Sequence, residues 1–299
     1  MSTFSTFVKL LATPSKMFRP LAARGLFNWM PDDRYLKALY YCEMGKSLDL
    51  DNPEGFNAKI QWLKLNDRNP DYPKWVNKET AKDMAGQKIG YDHVVPLLAS
   101  WNQAEDIKFS SLPDKCVLKC NHDQGSTIIF DRQKKADEAK IKDYFHSKLK
   151  RNAYMTTREW PYKSITPKII CEPFLGQDII DYKFFCFNGV PTFVNIGQKT
   201  NDDHVMHITF VDFDWNLLPF QRLDFAPVSN LPERPEQLEE MIEIAGKLAE
   251  NTRFVRIDLF CVDSKIYFSE FTLYPTSGLI KFYPEDGDDI LGDKLSINS

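Results

Sequence analysis

Two carboxylates near the end of the chain, Asp258 and Glu270, could take part in metal-assisted chemistry. They lie in residues 254–262 and 265–273, two runs rich in Val, Ile, Phe and Tyr that flank an Asp-Ser pair and predict a β-hairpin. Paired carboxylates on rigid strands suit Mg²⁺, a hard cation that takes oxygen ligands and binds readily together with substrate phosphates. The alternative is that both acids lie on a solvated face of the sheet.

The alternation of side chains along a strand determines which groups meet on this hairpin. Arg256 precedes Asp258 by two residues, so the two share a face of the first strand. Thr272 follows Glu270 at the same spacing on the second strand. Opposed side chains on neighbouring strands lie about 5 Å apart. The hairpin therefore predicts that two acids and one guanidinium converge.

A turn in the middle of the chain has features of a phosphate-binding flap. Residues 115–119 predict a short strand that ends at Lys119, and a polar turn with Gly125, Ser126 and Thr127 leads into a second apolar strand. Backbone N–H groups in such a turn bind phosphate oxygens, and a lysine at its entrance adds a positive charge. Because the segment lacks a GxxxxGK[ST] motif, an ordinary hairpin with a solvent-facing lysine is the alternative.

Charged residues also lie in two apolar runs that follow. Glu172 is part of the strand-like run KIICEPFL, and Asp181 and Lys183 share a face at the start of DYKFFCFNG. An Asn-Gly pair at residues 188–189 predicts a second hairpin. Asp181 and Lys183 are therefore either site residues or members of a cross-strand ion pair.

Hydrophobic spacing predicts the elements that must position these residues. Helices are expected within residues 32–69, over 76–89, over 133–150 and after Pro235, and a short strand is expected over 94–98. His204 and His207 would point to opposite faces of a strand, so they predict no shared metal site.

Length and composition limit the class of protein. The 299 residues carry a formal net charge of -4, which favours a large folded chain and gives no basic field for nucleic acid. The six cysteines form no CxxC pair and lie mostly in apolar runs, as expected of buried thiols in a reducing, cytoplasmic compartment. No run of about 18 apolar residues predicts a membrane span.

Residues 1–31 form a basic and amphipathic segment in which aromatic and aliphatic residues alternate with Lys and Arg. Lys9 and Pro14 interrupt any signal-peptide core. Two interpretations remain: the segment lies on an anionic membrane surface, at the inner face of the membrane, or it packs on its own domain.

The order of these motifs resembles that of the ATP-grasp superfamily. RIDL followed by SEFT is similar to elements of D-alanine:D-alanine ligases. More narrowly, NPEGFNAKIQWLKLNDRNP, VLKCNH, DYKFFCFNG, VRIDLF and FSEFTLYPTSG together resemble the TupA-like ATP-grasp family, which is often found with polysaccharide-biosynthesis genes. The resemblance extends from about Asp32 to the end of the chain.

This resemblance implies an α+β fold in which two α+β subdomains clasp ATP and a helical region precedes them. The corresponding division gives the amphipathic segment at 1–31, a mainly helical region at 32–99, the subdomain with the phosphate flap at 100–180, and the subdomain with the Mg²⁺ site at 181–299.

By the same resemblance, ATP contacts residues of the flap and of neighbouring segments: Lys78, Lys119, Asn121, His122, Gly125, Ser126, Thr127, Glu172, Phe174, Leu175 and Asp181. Lys119 binds phosphate, the flap closes over it, residues 172–175 lie beside adenine, and Asp181 holds the ribose.

The resemblance also implies catalytic and metal-binding residues. Lys183 faces phosphate or the acyl intermediate, and Arg256 stabilises charge that develops on the transferred phosphoryl group or on the tetrahedral intermediate. Mg²⁺ is held by Asp258, Glu270 and Thr272.

Two positions depart from the family's pattern. Lys78 resembles the lysine of an Asp-Lys element, but Asn77 stands in place of the aspartate. Many ATP-grasp enzymes have Glu-x-Asn where this chain has Glu270, Phe271 and Thr272, so the third metal oxygen would come from Thr272 or from water.

The function that the resemblance implies is an ATP-dependent ligase that joins a carboxylate to an amine through an acyl phosphate. In a polysaccharide pathway the carboxylate would be a uronic acid and the amine an amino acid. A metal-dependent glycosyltransferase is the first alternative, because Asp212, Phe213 and Asp214 form a D-x-D tripeptide. A non-catalytic nucleotide-binding protein is the second alternative, against which Arg256 and the paired carboxylates argue.

Overall fold

Helices and antiparallel sheets both contribute to the fold, as the α+β prediction requires. A computed structural model describes residues 17–134, 136–177, 179–199 and 206–297. Residues 1–16 of the amphipathic segment and His204 of the histidine pair lie outside these ranges.

The α-helices of the described residues are α1 (Phe18–Ala23), α2 (Asp32–Met44), α3 (Phe56–Asn66), α4 (Tyr72–Val76), α5 (Thr80–Ile89), α6 (Glu138–Leu149), α7 (Ala153–Thr157), α8 (Leu238–Ala249) and α9 (Gly287–Lys294). The strands are β1 (Ala99–Trp101), β2 (Lys115–Cys120), β3 (Thr127–Asp131), β4 (Ile169–Pro173), β5 (Asp181–Phe187), β6 (Val190–Lys199), β7 (Met206–Val211), β8 (Gln221–Arg222), β9 (Phe254–Val262), β10 (Lys265–Thr272) and β11 (Phe282–Tyr283).

The larger sheet has five antiparallel strands in the order β10-β9-β5-β6-β7. Both predicted hairpins are present in it. Asp263 and Ser264 turn β9 into β10 with φ values of 50° and 60°, and Asn188 and Gly189 turn β5 into β6 with φ values of 50° and 81°. Positive φ at both turn residues is what a two-residue hairpin loop requires, because it matches the twist of the strands.

The smaller sheet has four antiparallel strands in the order β1-β4-β2-β3. Alternation along β2 divides its residues between two environments. Cys116, Leu118 and Cys120 are fully buried in a core shared with Phe130 of β3 and Phe145 of α6. The opposite face of this sheet is consequently available for a ligand.

A separate and larger core covers the five-stranded sheet. The segment after Pro235 predicts an apolar helix face made of Leu238, Met241, Ile242, Ala245 and Leu248. In α8 these residues are fully buried except Ile242, which is partly buried. Phenylalanine rings form much of the remainder, with edge and stacked contacts at centroid distances between 4.7 and 6.4 Å. The phenylalanine cluster lies at one end of the sheet, and the charged residues lie at the other end of the same strands.

The described part of the amphipathic segment packs on the rest of the chain. Phe18 is buried and stacks on Phe27 with 4.7 Å between ring centroids, and it also contacts Tyr35 of α2. Leu26 and Trp29 are 51% and 76% exposed. Among the described residues no helix is long and apolar enough to cross a membrane.

Three predicted elements were wrong in their bounds. The helix over 133–150 begins at Glu138, because the side chain of Asp137 accepts a hydrogen bond from the N–H of Lys140 and caps it there. The single helix over 76–89 is interrupted between α4 and α5, because Asn77 is extended (φ -82°, ψ 109°) and its side-chain oxygen accepts a hydrogen bond from the N–H of Glu79. The strand predicted over 94–98 is absent as such, and the structure has β1 at Ala99–Trp101 instead. Pro96 has no N–H to contribute to a ladder, so pairing with β4 begins beyond it.

Candidate active site

A cavity of about 430 Å³ lies between the free face of the four-stranded sheet and one end of the five-stranded sheet. One part of its lining is apolar and the other part is polar. The apolar lining consists of Val95, Val117, Ile129, Pro173, Phe174, Leu175, Gly176, Ile179 and Phe260, and the polar or flexible lining consists of Lys78, Lys119, Gln124, Gly125, Thr127, Glu172, Asp181, Lys183, Arg256, Asp258, Ser269 and Glu270. Such a cavity suits a ligand that is flat and apolar at one end and strongly anionic at the other.

Strand register brings the charged residues of the larger sheet into one row. Glu270 of β10 is opposite Asp258 of β9, and Asp258 is opposite Lys183 of β5. One extra residue, Ser269, shifts the register between Phe268 and Glu270. The predicted convergence of Asp258 and Glu270 on one face is confirmed by this pairing.

Arg256 is held by three side chains of the hairpin. Its Nε and one terminal nitrogen donate to the two oxygens of Asp258, each at 2.6 Å, and that terminal nitrogen also donates to Thr272 Oγ1 at 3.0 Å. Glu270 lies 3.9 Å away. Burial lowers the pKa of Arg256, but the Asp258 carboxylate more than offsets this and holds the pKa above its usual value. Arg256 is therefore a fixed cation at the floor of the cavity.

Glu270 lies among cations. Its carboxylate is 3.4 Å from Lys78 Nζ, in addition to the contact with Arg256. Burial raises its pKa, but Lys78 and Arg256, with smaller contributions from Lys119 and Lys183, lower the pKa to about 2. Glu270 is consequently an anion at every pH near neutrality.

Asp181 and Lys183 form an ion pair along β5. Lys183 Nζ lies 2.5 Å from Asp181 and 3.9 Å from Asp258. The pair joins two residues of one strand, so the cross-strand alternative applies only to the longer contact with Asp258. Both residues line the cavity, with Lys183 nearer the paired carboxylates.

The four-stranded sheet contributes Lys119 and Glu172 from the face opposite its own core. Lys119 Nζ lies 2.7 Å from one oxygen of Glu172, and Lys82 Nζ lies 2.7 Å from the other. Lys82, on α5, is 6% exposed and was missed in the sequence analysis. A lysine beside the buried Ala81 and Ala85 on the apolar side of a helix is the signal that would have identified it.

The flap residues divide into two groups. Gly125 and Thr127, which were among the predicted residues, line the cavity. Gln124, which was not among the predicted residues, also lines it. Asn121, His122 and Ser126 are buried but do not belong to the cavity lining.

The buried flap residues anchor the base of the β2–β3 loop. Asn121 donates from its side chain to the carbonyl of Thr166 at 3.1 Å and accepts from the N–H of Lys168 at 2.8 Å. His122 contacts the carbonyl of Arg151 at 3.1 Å through Nε2, and burial lowers the pKa of its imidazole. Ser126 Oγ donates to a carboxylate oxygen of Asp123.

Lys78 connects the flap with β10. Its Nζ donates to the carbonyl of Asp123 at 2.6 Å and lies 3.4 Å from Glu270 on β10. Asn77 is turned away and accepts a hydrogen bond from the side chain of Asn121 at 3.1 Å. Although residue 77 is Asn and not Asp, Lys78 has oxygen partners in the carbonyl of Asp123 and the carboxylate of Glu270.

The donor set at the polar end fits a hard divalent cation bound together with phosphate. Asp258 and Glu270 supply carboxylate oxygens from adjacent strands, and in the described ranges no group of three His, Cys, Asp or Glu residues could hold a metal by itself. Mg²⁺ takes remaining ligands from water and substrate phosphates, so two protein carboxylates are sufficient. Thr272 Oγ1 is engaged with Arg256 and not with either carboxylate.

The D-x-D tripeptide lies away from this cavity. It forms a turn after β7, in which Asp212 accepts hydrogen bonds from the backbone and side-chain nitrogens of Asn216. Neither Asp212 nor Asp214 belongs to the cavity lining.

A family model described as TupA-like ATPgrasp matches residues 58–296 of this chain. No curated protein matches the chain. Three solved structures illustrate its similarity to known proteins. The L-amino acid ligase from Bacillus licheniformis is 15% identical with a TM-score of 0.46, over 93% of this chain and 61% of that chain. The ATP-grasp ligase PsnB, complexed with minimal precursor, is 13% identical with a TM-score of 0.42, over 91% and 70%.

D-alanine–D-alanine ligase from Bacillus anthracis is 14% identical with a TM-score of 0.38, over 74% of this chain and 59% of that chain. This chain thus matches between 59% and 70% of the length of these structures.

Proposed function

The chain belongs to the TupA-like ATP-grasp family, and from this premise we propose that it is a ligase that uses ATP to join a carboxylate to an amine. One observation supports the proposal above the others. The cavity has an apolar wall at one end and, at the other, four cations and two strand-paired carboxylates: Lys78, Lys119, Lys183, Arg256, Asp258 and Glu270.

The distribution of charge in the cavity suits a nucleoside triphosphate. The base would lie against Val117, Ile129 and Phe174, and the phosphates would meet Lys119 and Lys183. Gly125 at the tip of the flap has φ of 80° and nothing within 4 Å of the position of a Cβ atom. A backbone that can approach phosphate closely is the usual reason for glycine at such a position.

The proposed reaction has two steps. A substrate carboxylate oxygen bonds to the γ-phosphorus of ATP while the bond from that phosphorus to the β–γ bridging oxygen breaks, which releases ADP. The amine nitrogen then bonds to the acyl carbon, the bond to phosphate breaks, and the amine loses a proton to the released phosphate or to solvent. The product is an amide.

The protein contributes positions and charges to this chemistry. Lys183 and Arg256 stabilise negative charge on the transferred phosphoryl group, and Asp258 and Glu270 hold Mg²⁺. The chemistry that bound Mg²⁺ supplies is neutralisation of phosphate charge and polarisation of the γ-phosphoryl group. Asp258 fixes Arg256 as well, so this acid has two functions in the site.

We propose a uronic acid, free or nucleotide-linked, as the carboxylate substrate and an amino acid as the amine. The association of the family with polysaccharide-biosynthesis genes supports this choice. A cytoplasmic reaction on a precursor of a surface glycan such as a capsule would use ATP directly.

Product analysis tests the proposal. The purified protein is incubated with ATP, Mg²⁺, a panel of nucleotide-linked uronic acids and a panel of amino acids, and nucleotides and amide products are identified by chromatography and mass. Release of ADP and phosphate with an amide of the expected mass is the predicted result. Release of UDP without ADP would contradict the ligase and support a glycosyltransferase.

A matched pair of aspartate variants locates the reaction. We expect Asp258→Asn to lower kcat/KM for Mg·ATP by at least about 100-fold, because the variant loses a metal ligand and the partner of Arg256. Asp212→Asn removes the same charge from the D-x-D turn and should leave turnover unchanged. Normal turnover in a folded Asp258→Asn protein would rule out the assigned site.

A further inference from the structure

A buried triad of two lysines and one glutamate lies at the edge of the cavity. Glu172 is 5% exposed and places one oxygen 2.7 Å from Lys82 Nζ and the other 2.7 Å from Lys119 Nζ. Lys82 is 6% exposed and also donates to the carbonyl of Val95 at 2.6 Å. The glutamate therefore forms an ion pair with each lysine at a place with little access to water.

The members of the triad differ in their relation to the cavity. Lys119 and Glu172 belong to its lining, whereas Lys82 does not. Lys82 comes from α5, which packs against the larger sheet, and its partners are on β2 and β4 of the smaller sheet. Lys82 is therefore outside contact distance of a ligand in the cavity. It can influence such a ligand only through its ion pair with Glu172.

Charge balance explains why a second lysine is needed. Burial raises the pKa of Glu172, but Lys119 and Lys82 together lower the pKa below its usual value, so the group is an anion. If Lys119 were its only partner, one anion would neutralise one cation, and little positive charge would remain for a phosphate. With Lys82 on its other oxygen, the triad keeps a net charge of one positive unit.

We propose that Lys82 and Glu172 are positioning residues that fix the ammonium of Lys119 at the phosphate end of the cavity and preserve its charge for the ligand. The proposal rests on the assignment of this cavity to ATP. It also gives Glu172 a different task from contact with adenine, because both of its carboxylate oxygens are engaged by lysines.

The test compares the affinity for ATP with the affinity for adenosine, which has no phosphate. Both are measured by calorimetry, adenosine by displacement, for the wild type and for Lys82→Met. We expect ATP to bind about tenfold more weakly to Lys82→Met, the equivalent of one charge-assisted contact, and adenosine to bind equally to both proteins.

A double variant separates charge balance from damage to the fold. Lys82→Met/Glu172→Gln removes one cation and one anion, so Lys119 retains its charge, and we expect ATP affinity to return to within about threefold of the wild type. Lys88→Met on the same helix is the control, because Lys88 is exposed and pairs with Glu250 at 3.8 Å. Its affinity for ATP should match that of the wild type.

The outcomes distinguish this proposal from the proposed function. A wild-type protein that binds no ATP would overturn the assignment of the cavity. A wild type that binds ATP, with Lys82→Met binding it equally well, would overturn only the positioning role. Equal losses of ATP and adenosine affinity in Lys82→Met, or a double variant that binds ATP more weakly than Lys82→Met, would show a structural role for the triad and also overturn the proposal.

Discussion

At the scale of single residues, Thr272 illustrates how a neighbour can change the interpretation of a motif. The resemblance to Glu-x-Asn sequences suggests a third oxygen ligand for Mg²⁺ at this position. In the structure Thr272 Oγ1 accepts a hydrogen bond from Arg256 at 3.0 Å, and Arg256 also binds both oxygens of Asp258. The hydroxyl group therefore helps to orient the guanidinium.

Substitution of Thr272 tests this orientation. Thr272→Val keeps the shape of the side chain but removes the acceptor, and we expect kcat to fall at least about tenfold, because a hydrogen bond to a charged group contributes about 1.5–3 kcal/mol. The Mg²⁺ concentration for half-maximal activity should not change, and Thr272→Ser should restore kcat. A large increase in the Mg²⁺ requirement of Thr272→Val would instead identify Thr272 as a metal ligand.

Glu270 leads to a prediction about pH. Its pKa is lowered to about 2 in the folded protein, despite burial, by Lys78 and Arg256. An unfolded glutamate has a pKa of about 4.3, so between these values the unfolded chain binds more protons than the folded one. The contribution of Glu270 to stability is thus complete above pH 5 and is lost as the pH falls toward 2.

Urea unfolding of Glu270→Gln measures this contribution. We expect the variant to be less stable than the wild type by about 3 kcal/mol at pH 7 and by clearly less at pH 3.5. Glu243→Gln, an exposed position on α8, is the control and should show no such trend. A difference between wild type and Glu270→Gln that does not depend on pH would contradict the assigned pKa.

At the scale of elements, the turn that follows β10 is held in place by α3. Thr276 and Ser277 have φ values of 49° and 60°, a conformation that is costly for residues other than glycine. Gln61 donates to the carbonyls of Ser277 and Gly278, and Lys64 donates to both oxygens of Ser277. Contacts from one helix therefore stabilise a strained turn only a few residues from the end of β10.

Lys64 is the central member of this contact. It is 1% exposed, and burial lowers the pKa of its ammonium to about 7, with partial compensation by Glu159. We expect Lys64→Met to lower the free energy of unfolding by about 3 kcal/mol, because buried oxygens of Ser277 and Thr157 lose a donor.

The matched control is Lys37→Met, at an exposed position on α2, where a change within about 0.5 kcal/mol is expected. Chemical denaturation measures both variants. Equal stability of Lys64→Met and Lys37→Met would show that the buried lysine does not hold the turn.

At the scale of the whole molecule, the cavity is lined by two sheets that have separate cores. One core includes Phe130 and Phe145 and supports the four-stranded sheet, and the other includes Phe185 and Phe254 and supports the five-stranded sheet. A nucleotide in the cavity would contact both sheets at once. Its binding should therefore stabilise residues that are distant in sequence.

Hydrogen exchange tests this consequence. With Mg²⁺ and ADP at 100 times the dissociation constant, locally exchanging amides of residues 121–127 and of β9 and β10 should exchange up to about 100-fold more slowly. Locally exchanging amides of α2 are the internal control, since this helix packs in a third core with Phe18. Protection limited to one of the two sheets would contradict binding between them.

Sequence patterns predicted the parts of the site that depend on neighbouring residues. Period-two alternation placed Arg256 with Asp258, and the Asp263-Ser264 turn predicted the hairpin. The bulge at Ser269, which brings Glu270 opposite Asp258, has no signal in the alternation. The pattern marks Lys82 as a lysine on the apolar side of α5, but nothing near it in sequence indicates that Glu172 will be its partner. Nor could it predict the interruption at Asn77, since the side chain that accepts from Glu79 also accepts from Asn121, which lies at the base of the β2–β3 loop and is distant in sequence.

The sequence by itself determined local structure: which residues form hairpins, which side chains share a face, and, through the order of its motifs, the family. Tertiary structure alone decided which cation meets which carboxylate, because the contacts of Lys78 with Glu270 and of Lys82 with Glu172 join residues far apart in the chain. These cations lower the pKa of Glu270 and Glu172 despite burial, and they meet the carboxylates only when two sheets and a helix pack together.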